Sequence, residues 1–203
     1  MNLTNVPMRH PAFTEGRWGD TAWQHTAVMG LFGDLGSSPT ARANGHVLFR
    51  IEPDAPAADG SVGRVLVQST TAPSAQGIRT TSLVPVLASY RSGGTVRLLL
   101  RANTVRTINR TATDGSIRRH RARIPEGQLE GWLKDRLGGA VELHSPVLIE
   151  PGEFRCGRAQ LITTTFRTDA TVIDPQLLAQ HVRDGVGRAK SYGCGMLSAL
   201  PVR

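Results

Sequence analysis

The order of predicted strands and helices in the second half of the chain constrains its fold most strongly. Val96, Leu98 and Leu100 occupy alternate positions, which is typical of a half-buried strand. The segments that follow are an amphipathic helix after Pro125, strands at 141–143, 147–149 and 161–166, a helix opened by Asp174 and Pro175, and a last strand at 196–202. This β-α-β-β-α-β order predicts a ferredoxin-like unit from about residue 96 to residue 203.

The first half is a weaker copy of the same order. The predicted segments are a strand at 3–6, a helix capped by Asp20 that runs to about residue 32, hairpin strands at 47–52 and 64–69, and a closing strand at 83–87. Residues 69–82 are polar and small, with too little apolar periodicity to predict a second helix. We therefore predict an α+β fold of two tandem ferredoxin-like (RRM-like) domains, at 1–89 and 95–203, which pack across a fixed cleft because the linker 89–94 is short.

Basic residues are concentrated in one segment. The net charge is +8, and residues 97–123 contain eight arginines and one acid, Asp114, so this segment alone carries +7. Arginine accounts for 22 of the 24 basic residues, and its planar guanidinium suits bidentate contacts with phosphate. A field this concentrated predicts a nucleic-acid partner; the alternative is a solvated basic hairpin. Aromatic residues make up 5% of the chain, so base stacking is not expected to dominate recognition.

Other classes of protein are not expected. The apolar stretches are far shorter than the ~18 residues of a membrane span, and residues 1–13 lack the apolar core of a secretion signal. A cytoplasmic protein without membrane contact is therefore expected. Cys156 and Cys194 are the only cysteines, and neither stands at zinc-ligand spacing from a second Cys or a His, so we predict no disulfide framework and no metal site.

Four glycines fall within the eleven residues 185–195, between the last predicted helix and the last strand. Glycine lets a backbone approach a ligand closely, so together with Arg188 and Lys190 this loop is predicted to cradle a phosphate backbone. A Walker A motif does not fit, because Asp184 and Ala189 occupy its glycine positions, and a dinucleotide-binding motif fails at Lys190. No nucleotide cofactor is expected. The alternative is a tight connection that helix–strand packing requires.

Several separate blocks resemble one known family. The most specific is the run at 185–198, Gly-Val-Gly-Arg-Ala-Lys-Ser-Tyr-Gly-Cys-Gly-Met-Leu-Ser, and a second is Arg-Ala-Asn at 101–103. The remaining blocks are Val-Leu-Phe-Arg-Ile-Glu from Val47, Val-Leu-Val-Gln-Ser from Val65 and Trp-Leu-Lys-Asp-Arg-Leu-Gly from Trp132. In this order and over nearly the whole chain, the sequence resembles the CRISPR-associated pre-crRNA endoribonucleases of type I-E Cascade complexes, the CasE family.

The resemblance implies a metal-independent endoribonuclease without cofactors. It would bind the hairpin of a CRISPR repeat RNA and cut pre-crRNA at the 3′ base of the stem. The 2′-hydroxyl beside the scissile phosphate would attack and leave a 2′,3′-cyclic phosphate. The protein would then stay bound to the crRNA and to the other Cascade subunits. His25 is the histidine that fits the place of the family's catalytic His on the first helix.

The predicted RNA contacts rest on charge and on the resemblance together. The family's groove-inserting hairpin resembles residues 153–158, and 118–121 forms a second basic patch. His120 in this patch is predicted to be a contact or spacer, with a role as alternative base less favoured. The predicted RNA-binding residues are Arg101, Arg106, Arg118, Arg119, Arg121, Arg155, Arg158, Gly185, Gly187, Arg188 and Lys190.

His25 is chemically suited to proton transfer, because the ordinary pKa of imidazole is ~6.5. On the helical wheel it lies at the flank of an apolar stripe formed by Trp23, Ala27, Val28 and Leu31, where it can face a substrate. The residues alone leave open that it is an ordinary exposed histidine.

One departure from the family pattern concerns the residue three positions before His25. Family members often carry Tyr there, whereas this chain has Ala22. The neighbouring Trp23 is predicted to stack on the substrate, but its indole cannot act as an acid or base. Slow cleavage is therefore expected. A catalytically weak or inactive hairpin-binding subunit stays open as an alternative, as does an unrelated basic RNA-binding protein.

Overall fold

The chain forms antiparallel sheets covered by helices, and the computed structural model describes residues 1–33, 41–57, 59–111, 113–114, 116–144, 146–156 and 159–202. The helices are α1 (Thr21–Gly30), α2 (Ala41–Asn44), α3 (Val84–Ala88), α4 (Leu129–Leu137) and α5 (Pro175–Asp184). The strands are β1 (Asn2–Pro7), β2 (Leu48–Pro56), β3 (Val62–Ser69), β4 (Arg79–Ser82), β5 (Thr95–Asn103), β6 (Val105–Thr111), β7 (Ile117–Arg123), β8 (Val141–Leu143), β9 (Leu148–Cys156), β10 (Ala159–Val172) and β11 (Leu197–Pro201).

The first sheet has the strand order β2-β3-β1-β4, and each neighbouring pair is antiparallel. The first and third strands occupy the centre, as in a ferredoxin-like unit. Residues 70–78 contain no helix, so this unit lacks its second helix.

The predicted closing strand at 83–87 is wrong. The fourth strand is β4, which pairs with β1, and the apolar residues after it form α3. Pro85 has a fixed φ that suits a first helical turn and has no N–H to donate to a strand ladder. All four residues of β4 are exposed, so the strand has no apolar alternation and forms only through its pairing with β1.

The second sheet has the order β11-β5-β10-β8, with β9 beside another part of β10. β10 is 14 residues long; Ala170–Val172 pair with β8, and the residues from Ala159 to Arg167 pair with β9. The position of the second ferredoxin strand is therefore shared by β8 and β9. The predicted β-α-β-β-α-β order of this half is confirmed.

Local signals fix the ends of the main helices. The side chains of Asp20 and Asp174 each accept hydrogen bonds from the second and third backbone N–H groups of α1 and α5. Pro175 occupies the first turn of α5, as predicted. Gly138 ends α4 in the left-handed conformation, with φ 55°.

β6 and β7 form a two-stranded hairpin, separate from both larger sheets, in the connection between β5 and α4. This element, residues 105–123, is called the basic hairpin below.

Each larger sheet has a hydrophobic core against its own helices, and the two halves meet through a smaller contact. Leu48 and Leu66 of the first sheet pack on Met196, which precedes β11. The guanidinium of Arg50, 3% exposed, donates to the Met196 carbonyl at 3.2 Å and to the Glu52 carboxylate at 2.7 Å. A cleft of about 860 Å³ opens beside this contact, between strands of both sheets.

No helix in the described ranges is long and apolar enough to cross a membrane.

Candidate active site and nucleic-acid interface

His25 lies in the middle of α1, on a helix whose apolar face packs against the first sheet. Its side chain is half-buried. Among the residues that the structure describes, the Nδ1 atom of His25 is buried and has no hydrogen-bond partner. A buried nitrogen without a partner is rare in folded proteins, and a catalytic role is one explanation for it.

The surroundings of His25 favour its neutral form. Burial lowers the pKa of its imidazole below 6.5, and the positive charge of Arg42 lowers it further. His25 is therefore neutral near pH 7 and able to accept a proton.

Arg42 is a site residue that the sequence analysis missed. It lies on α2, and its Nη1 donates a long hydrogen bond of 3.4 Å to the Val47 carbonyl. Its distance from His25 in the sequence gives no helical or strand spacing, so only the folded chain brings the two residues together.

Lys190 reaches the same region from the glycine-rich loop 185–195. Burial lowers the pKa of its ammonium, and the charge of Arg42 lowers it again. The short 3-10 helix Lys190–Tyr192 contacts α1, the helix of His25, and the charge of Arg42 acts on both His25 and Lys190. The helix that carries neutral His25 thus meets the loop that carries Lys190, an arrangement suited to proton transfer beside a phosphate.

Part of the glycine content of the loop is explained by packing. A Cβ at Gly185 would lie 2.8 Å from both the Leu48 Cδ1 atom and the Gly195 carbonyl oxygen, and one at Gly193 would lie 3.2 Å from Phe49. These glycines let the loop approach β2 of the other half. The alternative interpretation of the loop as a tight connection therefore holds for Gly185, while Gly187 has no protein atom closer than 3.8 Å to such a Cβ.

The structure does not favour the predicted stacking of substrate on Trp23. Its side chain is 8% exposed and belongs to the core of the first half. The indole packs edge-to-face on Trp18 at 5.0 Å, and Trp18 packs in turn on Phe13. The ring therefore offers little surface on which a base could stack.

Arg101 was predicted to bind RNA, but its side chain contacts the protein itself. Its Nη2 donates to the Ile51 carbonyl at 3.1 Å, and its guanidinium lies 5.3 Å from the centre of the Phe154 ring. Burial lowers the pKa of Arg101. Arg101 lines the cleft between the sheets and its bond to Ile51 links the two halves, while its contact with RNA stays a prediction.

The basic hairpin carries the predicted contacts Arg106, Arg118, Arg119 and Arg121, all of them exposed. Arg106 bonds to Gln128 at 3.3 Å and Arg118 to Asp114 at 3.4 Å.

Both faces of the basic hairpin are cationic. Side chains alternate along a strand, and the register pairs Arg110 with Arg118 and Asn109 with Arg119, so Arg110 and Arg118 share one face, while Arg119 and Arg121 share the other. Within the described part of the chain, no ionic or hydrogen-bonded partner contacts Arg110, Arg119 or Arg121. Their charges are therefore free for a ligand, and Arg110 is a further candidate that the prediction omitted.

The other predicted contacts are spread more widely. Arg188 is exposed on the glycine-rich loop. Arg158 and the side chain of Arg155 lie outside the described residues, so their predicted contacts stay predictions. The backbone of 148–156 is part of the second sheet, because it pairs with β10. The basic hairpin, in contrast, is a two-stranded element separate from that sheet.

Within the described ranges, no three His, Cys, Asp or Glu residues come together in a way that could hold a metal ion.

Comparison with known proteins agrees with this geometry. A family model described as "CRISPR associated protein" matches residues 1–201. The Cascade subunit CasE of Escherichia coli K12 is 32% identical over 150 residues, which cover 68% of this chain and 74% of the relative. This chain belongs to the CasE family. The crystal structure of Cas6e from E. coli K-12 covers 100% of both chains with a TM-score of 0.74 and 26% identity. Cse3 of Thermus thermophilus, solved with an RNA that represents a pre-cleavage complex, covers 98% of both chains with a TM-score of 0.72 and 22% identity.

The CasE family match is consistent with the two ferredoxin-like units seen here, because the solved relatives superpose over the full length of the chain. The resemblance inferred from sequence blocks is thereby confirmed at the level of the family and the fold.

Proposed function

We propose that this protein is a pre-crRNA endoribonuclease that binds the hairpin of a CRISPR repeat RNA and remains bound to the crRNA as a Cascade subunit. The observation that carries the proposal is the contact between α1, which bears His25, and the part of the glycine-rich loop that bears Lys190, in a member of the CasE family. The E. coli relative is a Cascade subunit, and the Thermus relative was solved with RNA.

The chemistry of the proposed cut needs only groups of the chain and of the RNA. Neutral His25 takes the proton of the 2′-hydroxyl, whose oxygen attacks the adjacent phosphorus. The bond to the 5′-oxygen of the next nucleotide breaks, and that oxygen takes the proton from the His25 imidazolium, directly or through water, which returns His25 to its neutral form. The products are a 2′,3′-cyclic phosphate and a 5′-hydroxyl. Arg42 and Lys190 stabilise the negative charge that develops on the phosphate oxygens. No metal enters any step.

The two halves have different tasks in this proposal. The domain at 1–89 carries the catalytic helix α1, and the domain at 95–203 carries the basic hairpin and the glycine-rich loop. The narrow major groove of an RNA stem resists base reading but is bordered by phosphates. The free guanidiniums of the basic hairpin bind these phosphates and hold the base of the stem near His25.

The test uses a labelled repeat hairpin with excess protein in EDTA. We expect one cut at the 3′ base of the stem, with a cyclic phosphate on the 5′ fragment identified by mass spectrometry. His25→Ala should lower the single-turnover rate at least ~100-fold without loss of hairpin binding. A 2′-deoxy nucleotide at the cut should abolish cleavage.

His144→Ala is the matched control, because it removes an exposed histidine outside both the candidate active site and the basic hairpin and should leave the rate nearly unchanged. Cleavage by His25→Ala at the wild-type rate would contradict the assignment of His25. Binding without any cleavage by the wild-type protein would contradict the proposed enzyme.

A further inference from the structure

The C-terminal end of α5 is capped by a side chain from the other half of the molecule. The last carbonyl groups of a helix have no partner within the helix. The Nε2 atom of Gln68, on β3, donates to the carbonyl oxygen of Val182 at 2.7 Å and to that of Arg183 at 3.2 Å. The Nζ atom of Lys190 donates to the next carbonyl, of Asp184, at 2.7 Å. Three consecutive carbonyls at the start of the glycine-rich loop are thus bonded by two side chains.

Gln68 has little freedom to make other contacts. It is 1% exposed, and a buried amide of this kind is nearly always hydrogen-bonded. Its partner in the β2–β3 register is Leu48, the residue against which Gly185 packs. The amide and the loop are therefore held against each other by packing as well as by hydrogen bonds.

β3 connects the two parts of the candidate active site through its two faces. Val65 and Val67 point into the core that contains Val28 of α1, the helix of His25. Gln68 points from the opposite face towards the end of α5. One strand therefore packs under the helix of His25 and also holds the end of the helix that precedes Lys190, so it fixes the position of Lys190 relative to His25.

We propose that Gln68 is a positioning residue, which fixes the loop carrying Lys190 relative to the helix carrying His25. This inference rests on the proposed function for its effect on cleavage, although the capping itself does not. Without the amide, the carbonyls of Val182 and Arg183 must turn to water, the last turn of α5 loosens, and Lys190 loses its fixed partner at Asp184.

The expected effect falls on the chemical step. A displacement of about 1 Å in a catalytic group can lower a rate ~100-fold. Gln68→Met, which keeps the side-chain length and removes the donor, should therefore lower the single-turnover rate by ~10- to 100-fold. The dissociation constant for the repeat hairpin should change less than about 2-fold, because the basic hairpin is a separate element.

A second variant tests the donor directly. Gln68→Glu places a carboxylate against two carbonyls and should be at least as slow as Gln68→Met at pH 8. A protonated carboxyl group can donate a hydrogen bond. The rate of Gln68→Glu relative to wild type at the same pH should therefore rise as the pH falls, whereas the relative rate of Gln68→Met should not.

Tyr90→Phe is the control for reduced stability. The Tyr90 hydroxyl donates to the Ala199 carbonyl at 2.8 Å in the core of the second half, a buried bond that involves neither α5 nor the loop. This variant should cleave at nearly the wild-type rate. If Gln68→Met also does so, or if both variants slow cleavage equally, the positioning role is overturned.

Amide hydrogen exchange separates this inference from the proposed function. In Gln68→Met, residues 185–195 should exchange faster than in wild type, and in Tyr90→Phe they should not. If the wild-type protein does not cut RNA, the proposed function fails, while faster exchange in Gln68→Met still supports the cap. Unchanged exchange in Gln68→Met overturns the inference whatever the cleavage result.

Discussion

Ala22 lies about one helical turn before His25 on the same face of α1, because residues three apart are neighbours on a helix surface. It is exposed and carries no hydroxyl. Ala22→Tyr should place a phenol beside the imidazole and raise the single-turnover cleavage rate by ~10- to 100-fold, since one acid–base group contributes on this scale. Ala22→Phe adds the same ring without the hydroxyl and should give no increase. Equal rates for both variants would show that the phenol has no chemical role here.

Besides stabilising the charge on the phosphate, Arg42 lowers the pKa of His25. Both burial and Arg42 lower the pKa of His25, so replacing Arg42 removes one of the two effects. In Arg42→Gln the pKa of His25 should rise, and the acidic limb of the pH–rate profile should move to higher pH because the base must be neutral. The pH dependence of single-turnover cleavage measures this shift. A limb that stays in place would place Arg42 too far from His25 to act on it.

At the residue scale, sequence could indicate His25 but not its partners. The cap at Asp20 fixes the helical phase, and the family resemblance assigns the histidine. Arg42 and Gln68 become site residues only through packing between elements that are distant in the chain. The burial of Trp23 depends on Trp18, which lies outside the helix and gave no periodic signal.

The basic hairpin should dominate the affinity for RNA. The double variant Arg119→Gln and Arg121→Gln removes two free guanidiniums from one face. Removing one guanidinium that binds a phosphate should reduce the slope of log affinity against log salt by ~1, so binding should weaken and depend less on salt. Filter binding of the repeat hairpin at several salt concentrations measures both quantities.

The control for that pair is Arg9→Gln with Arg91→Gln, which removes equal charge from exposed positions outside the hairpin. An equal loss of affinity in the control would mean that net charge, and not the basic hairpin, determines binding.

At the element scale, the segments with local signals were predicted and the others were not. Asp174 and Pro175 fixed the start of α5, and Gly138 fixed the end of α4, because capping depends on neighbouring residues. The segment 83–87 was assigned to a strand because a short apolar run does not distinguish strand from helix. β4 carries no apolar pattern, so only its pairing with β1 identifies it.

Glu52 forms an ion pair with Arg50, whose guanidinium also donates to the Met196 carbonyl of the other half, and this ion pair depends on pH. Burial raises the pKa of Glu52, but the charges and hydrogen bonds of Arg50 and Arg64 outweigh this effect and lower it below 4.5. A carboxyl group with a lowered pKa in the folded state stabilises that state at neutral pH, and this stabilisation is lost as the pH falls through the lowered value.

Glu52→Gln should therefore reduce the free energy of unfolding at pH 7 by ~3 kcal/mol, because Arg50 remains buried without its counter-charge. Urea denaturation at several pH values measures this difference. The gap between wild type and variant should narrow as the pH falls below 4.5, where the unfolded carboxyl group takes up a proton, and down through the lowered pKa at which the folded one does so too. A gap that does not change with pH would argue against an ionic contribution.

The cap that Gln68 places on α5 also limits how such a chain can diverge. One half supplies the amide and the other supplies the carbonyls and the loop. A substitution in one half at this contact therefore affects the other half. Relatives that replace Gln68 should carry a compensating change at 182–190, so that the two segments co-vary. A chimera that combines 1–89 from one relative with 95–203 from another should then fold both units and lose activity, unless this pair of segments is exchanged together.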